Sequence, residues 1–391
     1  MEFPQIDDPA GADTPLGMLQ RGRGAGWLGA VSSDDGDQWL LACLRGDPRG
    51  DPRWDRQVES RSDYYATLAL RLSVPVASFA ADLGEGDEQW IVGDVVEAMA
   101  RRGSVEAAEL LSTLERDDDQ PGDEMAGTPV VELRSTTGPR VSADAPIDDL
   151  LAATWHRPFP KAVINRLRMT RDPVEVDALR RAARDVDNPG WHLALHVLAR
   201  RADVSPLEVV ERVLAADETG SVRASAFRFV TALPSDIALP LARSWLSHDD
   251  GRGSAASAVL ASHAEPVDAL ALREALAVAT DYYSMSSLVE ALGRLPEAGP
   301  FPELDEVYVH SAYSYTRARA VHAMAATDPA FADKWAAECL WDCEGVVRAE
   351  GARLASLDSV VAARLQELAN DEFEVDEVRD EAQARLDGRG A

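Results

Sequence analysis

Apolar residues recur every three or four positions along most of this chain. Trp90, Val92, Val95, Val96 and Met99 form one stripe, and Val105, Ala108, Leu111 and Leu114 form a second, with Gly103 and Ser104 between them. That spacing places each set on one side of a helix, so residues 90–114 predict a helical hairpin. Near the other end Asp358 and Ser359 precede Val361, Leu365 and Leu368, while Asp328 and Pro329 precede Phe331, Trp335 and Cys339. Asp at an N-cap and Pro just inside it are start signals. Helical patterns also cover 16–31, 37–45 and 55–72, whereas the one strand-like run, 128–133, has no partner. An all-α fold is predicted.

The helical segments repeat. From Arg317 to Arg348, and again from Arg348 to Arg379, the interval is 31 residues. Each arginine follows Thr or Val and is followed three positions later by Ala320, Gly351 or Ala382. Traced backwards, the register meets Met285, Arg252, Arg223, His192 and Lys161. A fixed period of this size is the mark of an α-solenoid of stacked antiparallel helical hairpins, each with an apolar stripe too small to fold alone.

Punctuation suggests the domains. Residues 1–15 read as a flexible tail, 16–115 as divergent N-terminal hairpins, 147–387 as the repeat array and 388–391 as a tail. Between them, 116–146 combine an acidic run (Asp117, Asp118, Asp119) with Pro121, Gly122, Gly127 and Pro129, the composition of a linker or long loop. Gly22, Gly24 and Gly26 have G-x-G-x-G spacing with no preceding strand, unlike a dinucleotide fingerprint. Small residues at a close helix approach explain them better.

With Val-Arg opening the second helix of a pair and small residues beyond it, residues 147–387 resemble HEAT repeats, in particular the short bacterial HEAT-like type. The resemblance implies that the repeat arginine pairs with an Asp in the turn before it. Asp217 precedes Arg223 and Asp342 precedes Arg348 by six residues, so Arg223, Arg252, Arg317, Arg348 and Arg379, with Asp217 and Asp342, are expected to form a structural ladder. The Arg317 repeat lacks its preceding Asp and the Met285 repeat lacks the arginine.

Charge narrows the partners. Sixty-eight acidic against 39 basic side chains leave −29, and only Lys161 and Lys334 are lysines. Such a field repels phosphate backbones and favours basic partners. Cys43, Cys339 and Cys343 form no disulfide framework, the acidic N-terminus lacks a signal pattern, and no apolar run reaches the ~20 residues of a membrane span. A cytoplasmic protein is expected, with no membrane or nucleic-acid partner.

No catalytic signature emerges. His192 and His196 share a helix face, yet no Glu follows His192 and no further ligand completes a metal set. Cys339 and Cys343 are two thiols where a soft metal takes more. No cofactor and no metal are expected. Two clusters suit binding: Arg53, Trp54, Arg56, Arg61, Tyr64 and Tyr65 in one segment, and Tyr282, Tyr283, Tyr308, Tyr313, Tyr315 and Trp341 along one edge of the repeats. Trp, Tyr and Arg are the residues of interface hot spots. The sequence therefore predicts a non-enzymatic scaffold or adaptor for a basic protein. The fold resemblance leaves two alternatives: a HEAT-like protein handling a small ligand or prosthetic group, and a HEAT-like DNA glycosylase.

Overall fold

The computed structural model describes residues 10–45, 61–80, 90–118, 142–153, 155, 158–216 and 220–388. Arg53, Trp54, Arg56 and Asp217 lie outside them, as does most of the expected linker. The described residues are all helical, with 24 α-helices, one 3-10 turn and no strand. No helix among them is long and apolar enough to cross a membrane.

The chain divides into two compact units, one combining residues 1–124 with 276–391 and the other spanning 125–275. This grouping differs from the segments suggested by composition. The N-terminal helices share a unit with the last repeats, and residues 147–387 divide inside the helix Ala269–Val278.

The first unit begins with α1 (Pro15–Gln20), α2 (Gly24–Val31), α3 (Gly36–Arg45), α4 (Arg61–Leu72), α5 (Ala77–Ala80), α6 (Trp90–Arg101) and α7 (Val105–Asp118). Thr14 caps α1, its hydroxyl accepting from the Gly17 amide with Pro15 next in line. α1 packs directly on α2. A methyl on Gly26 would lie 2.3 Å from the Leu19 nitrogen, so the glycine sets this close crossing.

The second unit contains α8 (Ile147–Ala152), α9 (Lys161–Met169), α10 (Pro173–Arg184), α11 (Trp191–Arg200), α12 (Leu207–Ala215), α13 (Ser221–Thr231), α14 (Ser235–Trp245) and α15 (Gly251–His263). Within it α10 packs on α11, α12 on α13 and α14 on α15, while α11, α13 and α15 also touch in succession. Asp250 caps α15 and Asp172 caps α10. The buried stripes are those the periodicity implies, such as Val209, Val210, Val213 and Leu214 on α12.

After α16 (Ala269–Val278) the first unit resumes with α17 (Tyr282–Gly293), α18 (Pro302–His310), α19 (Ser314–Thr327), α20 (Phe331–Lys334), α21 (Ala336–Cys339), α22 (Gly345–Leu354), α23 (Ser359–Asn370) and α24 (Asp376–Leu386). Each register position read from the sequence falls in the first turn of a helix, from Lys161 in α9 to Arg379 in α24. In the last four the offset is constant, because α17, α19, α22 and α24 begin three residues before Met285, Arg317, Arg348 and Arg379. These four pack one against the next, and α18, α21 and α23 lie beside α19, α22 and α24. One detail departs from the pattern. The single helix expected through Phe331, Trp335 and Cys339 is broken at Trp335, whose indole N–H donates to Asp305 at 2.7 Å.

Candidate functional site

The repeat arginines bond differently from the expected ladder. Asp342 does not pair with Arg348, six residues on. Its carboxylate receives Arg317 from the preceding repeat at 3.1 and 3.2 Å, with both side chains fully buried. Arg348 instead donates to the carbonyls of Asp342 and Cys343 and forms a two-pronged pair with Glu374 at 2.6 and 2.8 Å. The acid therefore sits in the turn that follows, 25 or 26 residues away. Two stacked helices place that turn beside the arginine, whereas its own turn presents carbonyls. Burial acts to lower the Arg317 pKa, but Asp342, with Cys343 and Tyr308 beside it, together outweigh that and hold the guanidinium protonated. Arg252 pairs with Asp250, two residues back, and approaches Glu211 at 3.6 Å. Arg379 bonds Asp376 on its own helix, and the Arg223 guanidinium lies against Gly251.

Most of the aromatic and arginine candidates among the described residues are interior. Arg61, Tyr64, Tyr65, Tyr308, Tyr313 and Trp341 are all buried, and their contacts join the N-terminal helices to the last repeats. Arg61 donates to the Ala312 carbonyl at 3.1 Å, and the Tyr64 hydroxyl to the Arg23 carbonyl at 2.8 Å. Arg23 makes two bonds to Glu338 and lies over the rings of Tyr308 and Trp335. Arg21, also buried, donates only to carbonyls, including His310 O at 3.1 Å. Burial, with Arg317 and Arg61 nearby, lowers its pKa to about 10. Gly22 has φ +70° and its carbonyl accepts from the Cys343 amide; a methyl there would lie 2.4 Å from the Cys343 sulfur. Tyr282 is half-buried against Tyr313, so only Tyr283 and Tyr315 remain exposed.

Neither candidate metal pair forms a site, and no group of three metal-type side chains occurs among the described residues. His192 Nδ1 meets the buried Ser225 hydroxyl at 2.8 Å, and His196 meets Arg200 and the Phe159 ring. Both cysteines are buried. Desolvation pushes the Cys343 thiol up to about 12 and Cys339 well above its ordinary value, which leaves them unreactive. A cavity of about 50 Å³ beside Trp27, Arg102, Trp341, Arg364, Asp371 and Glu374 has room for only about three waters.

A larger concavity lies elsewhere. A groove of about 750 Å³ crosses α17, α19, α22 and α24, within the range of ligand-binding clefts. Its lining repeats with the 31-residue register: Tyr315, Val346 and Glu377; Ala318 and Ala349; Arg319, Glu350 and Glu381; His322 and Arg353. Small residues Gly293, Ala318, Ala323 and Ala349 make the floor low. Arg319 stacks on Tyr315 at 3.9 Å and pairs with Glu290, and Glu350 bonds His322 and Arg353. Of the two binding clusters predicted from aromatics, only Tyr315 lines this groove. The signal for the rest was present at positions flanking each repeat arginine, two before and two after, where side chains turn away from the buried pair. No protein-family model matches the chain, and no curated protein is similar to it.

Proposed function

We propose that the chain is a non-enzymatic α-solenoid of HEAT-like helical pairs that holds a protein partner in the groove across α17, α19, α22 and α24. The constant start of these helices relative to the register, and their packing one on the next, support the repeat reading. The observation that carries the function is the groove itself, lined from equivalent positions of the 31-residue register and leaving apolar and charged side chains open to a partner. Val346 is 52% exposed and Tyr315 37%. Such a patch, rimmed by charge, is where binding surfaces concentrate.

The lining carries Glu290, Glu344, Glu350, Glu377 and Glu381 against Arg294, Arg319 and Arg353. With the net charge of −29 this disfavours a phosphate backbone and favours a cationic partner. Site-specific photo-crosslinking in the native cell tests the assignment. A probe at Val346, inside the groove, is expected to give a discrete adduct that a probe at Val360, somewhat more exposed but outside it, does not give. Adducts only at Val360 contradict the reading.

A further inference from the structure

The groove has two unlike ends. In its middle the charges are used within the protein, Arg319 by Glu290 and Glu350 by His322 and Arg353. At the α17 end Arg294 is exposed and its side chain makes no hydrogen bond or ion pair with any described residue. At the α24 end the side chains of Glu377 and Glu381 stand one helical turn apart, likewise without a hydrogen bond or ion pair to any described residue. The surplus charge is thus positive at one end and doubly negative at the other; between them lie the closed pairs, the buried Glu344, which accepts from the Ser314 hydroxyl, and an alanine floor.

We propose that the groove takes an extended, charge-polarised peptide segment, with basic side chains on Glu377 and Glu381 and an acidic side chain on Arg294. The inference rests on the groove being the partner-binding face, and it specifies the occupant. Three helix-to-helix steps of about 8–10 Å separate α17 from α24. Roughly eight residues of extended chain cover that distance at about 3.3 Å each. The segment's middle is uncharged, because a charge there meets a pair already closed, and a flat aliphatic residue fits over Ala318 and Ala349 beside Val346. Mutually opposite surplus charges also fix the direction in which the segment lies, which a uniformly acidic groove does not do.

Fluorescence anisotropy with synthetic peptides of about ten residues tests this. One peptide has two arginines at one end, two aspartates at the other and an Ala/Ser/Leu middle; a second has the same composition with its charges alternated. A third reverses the first. Of the first and third, the one whose chain direction suits the groove is expected to bind about tenfold more tightly than the alternated peptide, with the preference weakening as salt is added. Glu377→Arg with Glu381→Arg is expected to remove the preference while leaving the circular dichroism unchanged. Equal binding of all three peptides overturns the polarity yet leaves the groove as the binding face, provided a probe at Val346 crosslinks them. Absence of binding by every peptide overturns the proposed occupant, and the crosslinking from Val346 in cells then judges the groove separately.

Discussion

Arg317 in the first unit and Arg252 in the second stand at equivalent places in the repeat register and do different work. Arg317 is buried with a buried carboxylate 25 residues ahead, so it ties one helical pair to the next. Arg252 is only half-buried and holds Asp250, the cap of its own helix. A shared sequence template therefore specifies a helix start in both units, with a fully buried tie between helical pairs at Arg317 and a longer, more exposed one at Arg252, to Glu211 at 3.6 Å. The difference follows from what surrounds each arginine. Around Arg317 the N-terminal helices close over the turn at 338–344 through Gly22 and Arg23, and over Ala312 through Arg61, and leave the ion pair fully buried.

The comparison breaks first at Arg317. Arg317→Met leaves Asp342 charged and buried, and we expect a loss of about 3–5 kcal/mol, read as faster amide exchange across residues 310–344. Adding Asp342→Leu removes the orphaned charge and is expected to recover most of that loss; a double variant no better than the single one contradicts the ion-pair account. Next comes Gly24→Ala. Its methyl would sit 1.9 Å from the Glu338 carbonyl oxygen, and relief of that clash is expected to cost about 1–3 kcal/mol of unfolding free energy in urea titrations. The control is Gly93→Ala in α6, where nothing lies within 4 Å, which is expected to be neutral or stabilising by up to about 1 kcal/mol.

In the second unit the effects are smaller and depend on pH. The hydrogen bond from Arg252 holds the Asp250 carboxyl below its ordinary value, more than burial raises it. A depressed carboxyl stabilises the fold fully above its unfolded pKa of about 3.9 and loses that contribution as pH falls through its folded value. Amides in the first turn of α15 are therefore expected to exchange faster as the pH drops below about 4. Arg252→Gln should shift the onset to higher pH while barely moving the urea midpoint at neutral pH. An unchanged onset removes Arg252 as the cause.

Much of the fold was legible because helix period, caps and register are local properties. Asp358, Asp250 and Asp172 cap the helices they precede, and the close approach at Gly24 and Gly26 follows from their lack of side chains. What stayed hidden depends on which turn faces which helix. Nothing along the chain distinguishes Asp342 serving Arg348 from Asp342 serving Arg317, since both lie within reach of one repeat. For the same reason Tyr64, Tyr65 and Trp341 read as exposed anchors although the N-terminal helices bury them. The groove was missed because its residues, Glu350, Arg353 and Glu381 among them, are unremarkable one at a time and gain meaning only when the 31-residue register superimposes them.

Inward-facing positions of the 31-residue register hold the fold, and those facing the groove are proposed to bind a partner. In Glu377→Arg with Glu381→Arg, crosslink yield from Val346 and amide exchange across 310–344, measured on the same protein, separate the two roles. The crosslink is expected to fall to background while interior protection is unchanged. Full crosslinking with the reversed charges, or loss of interior protection from these two surface changes, contradicts that division of roles.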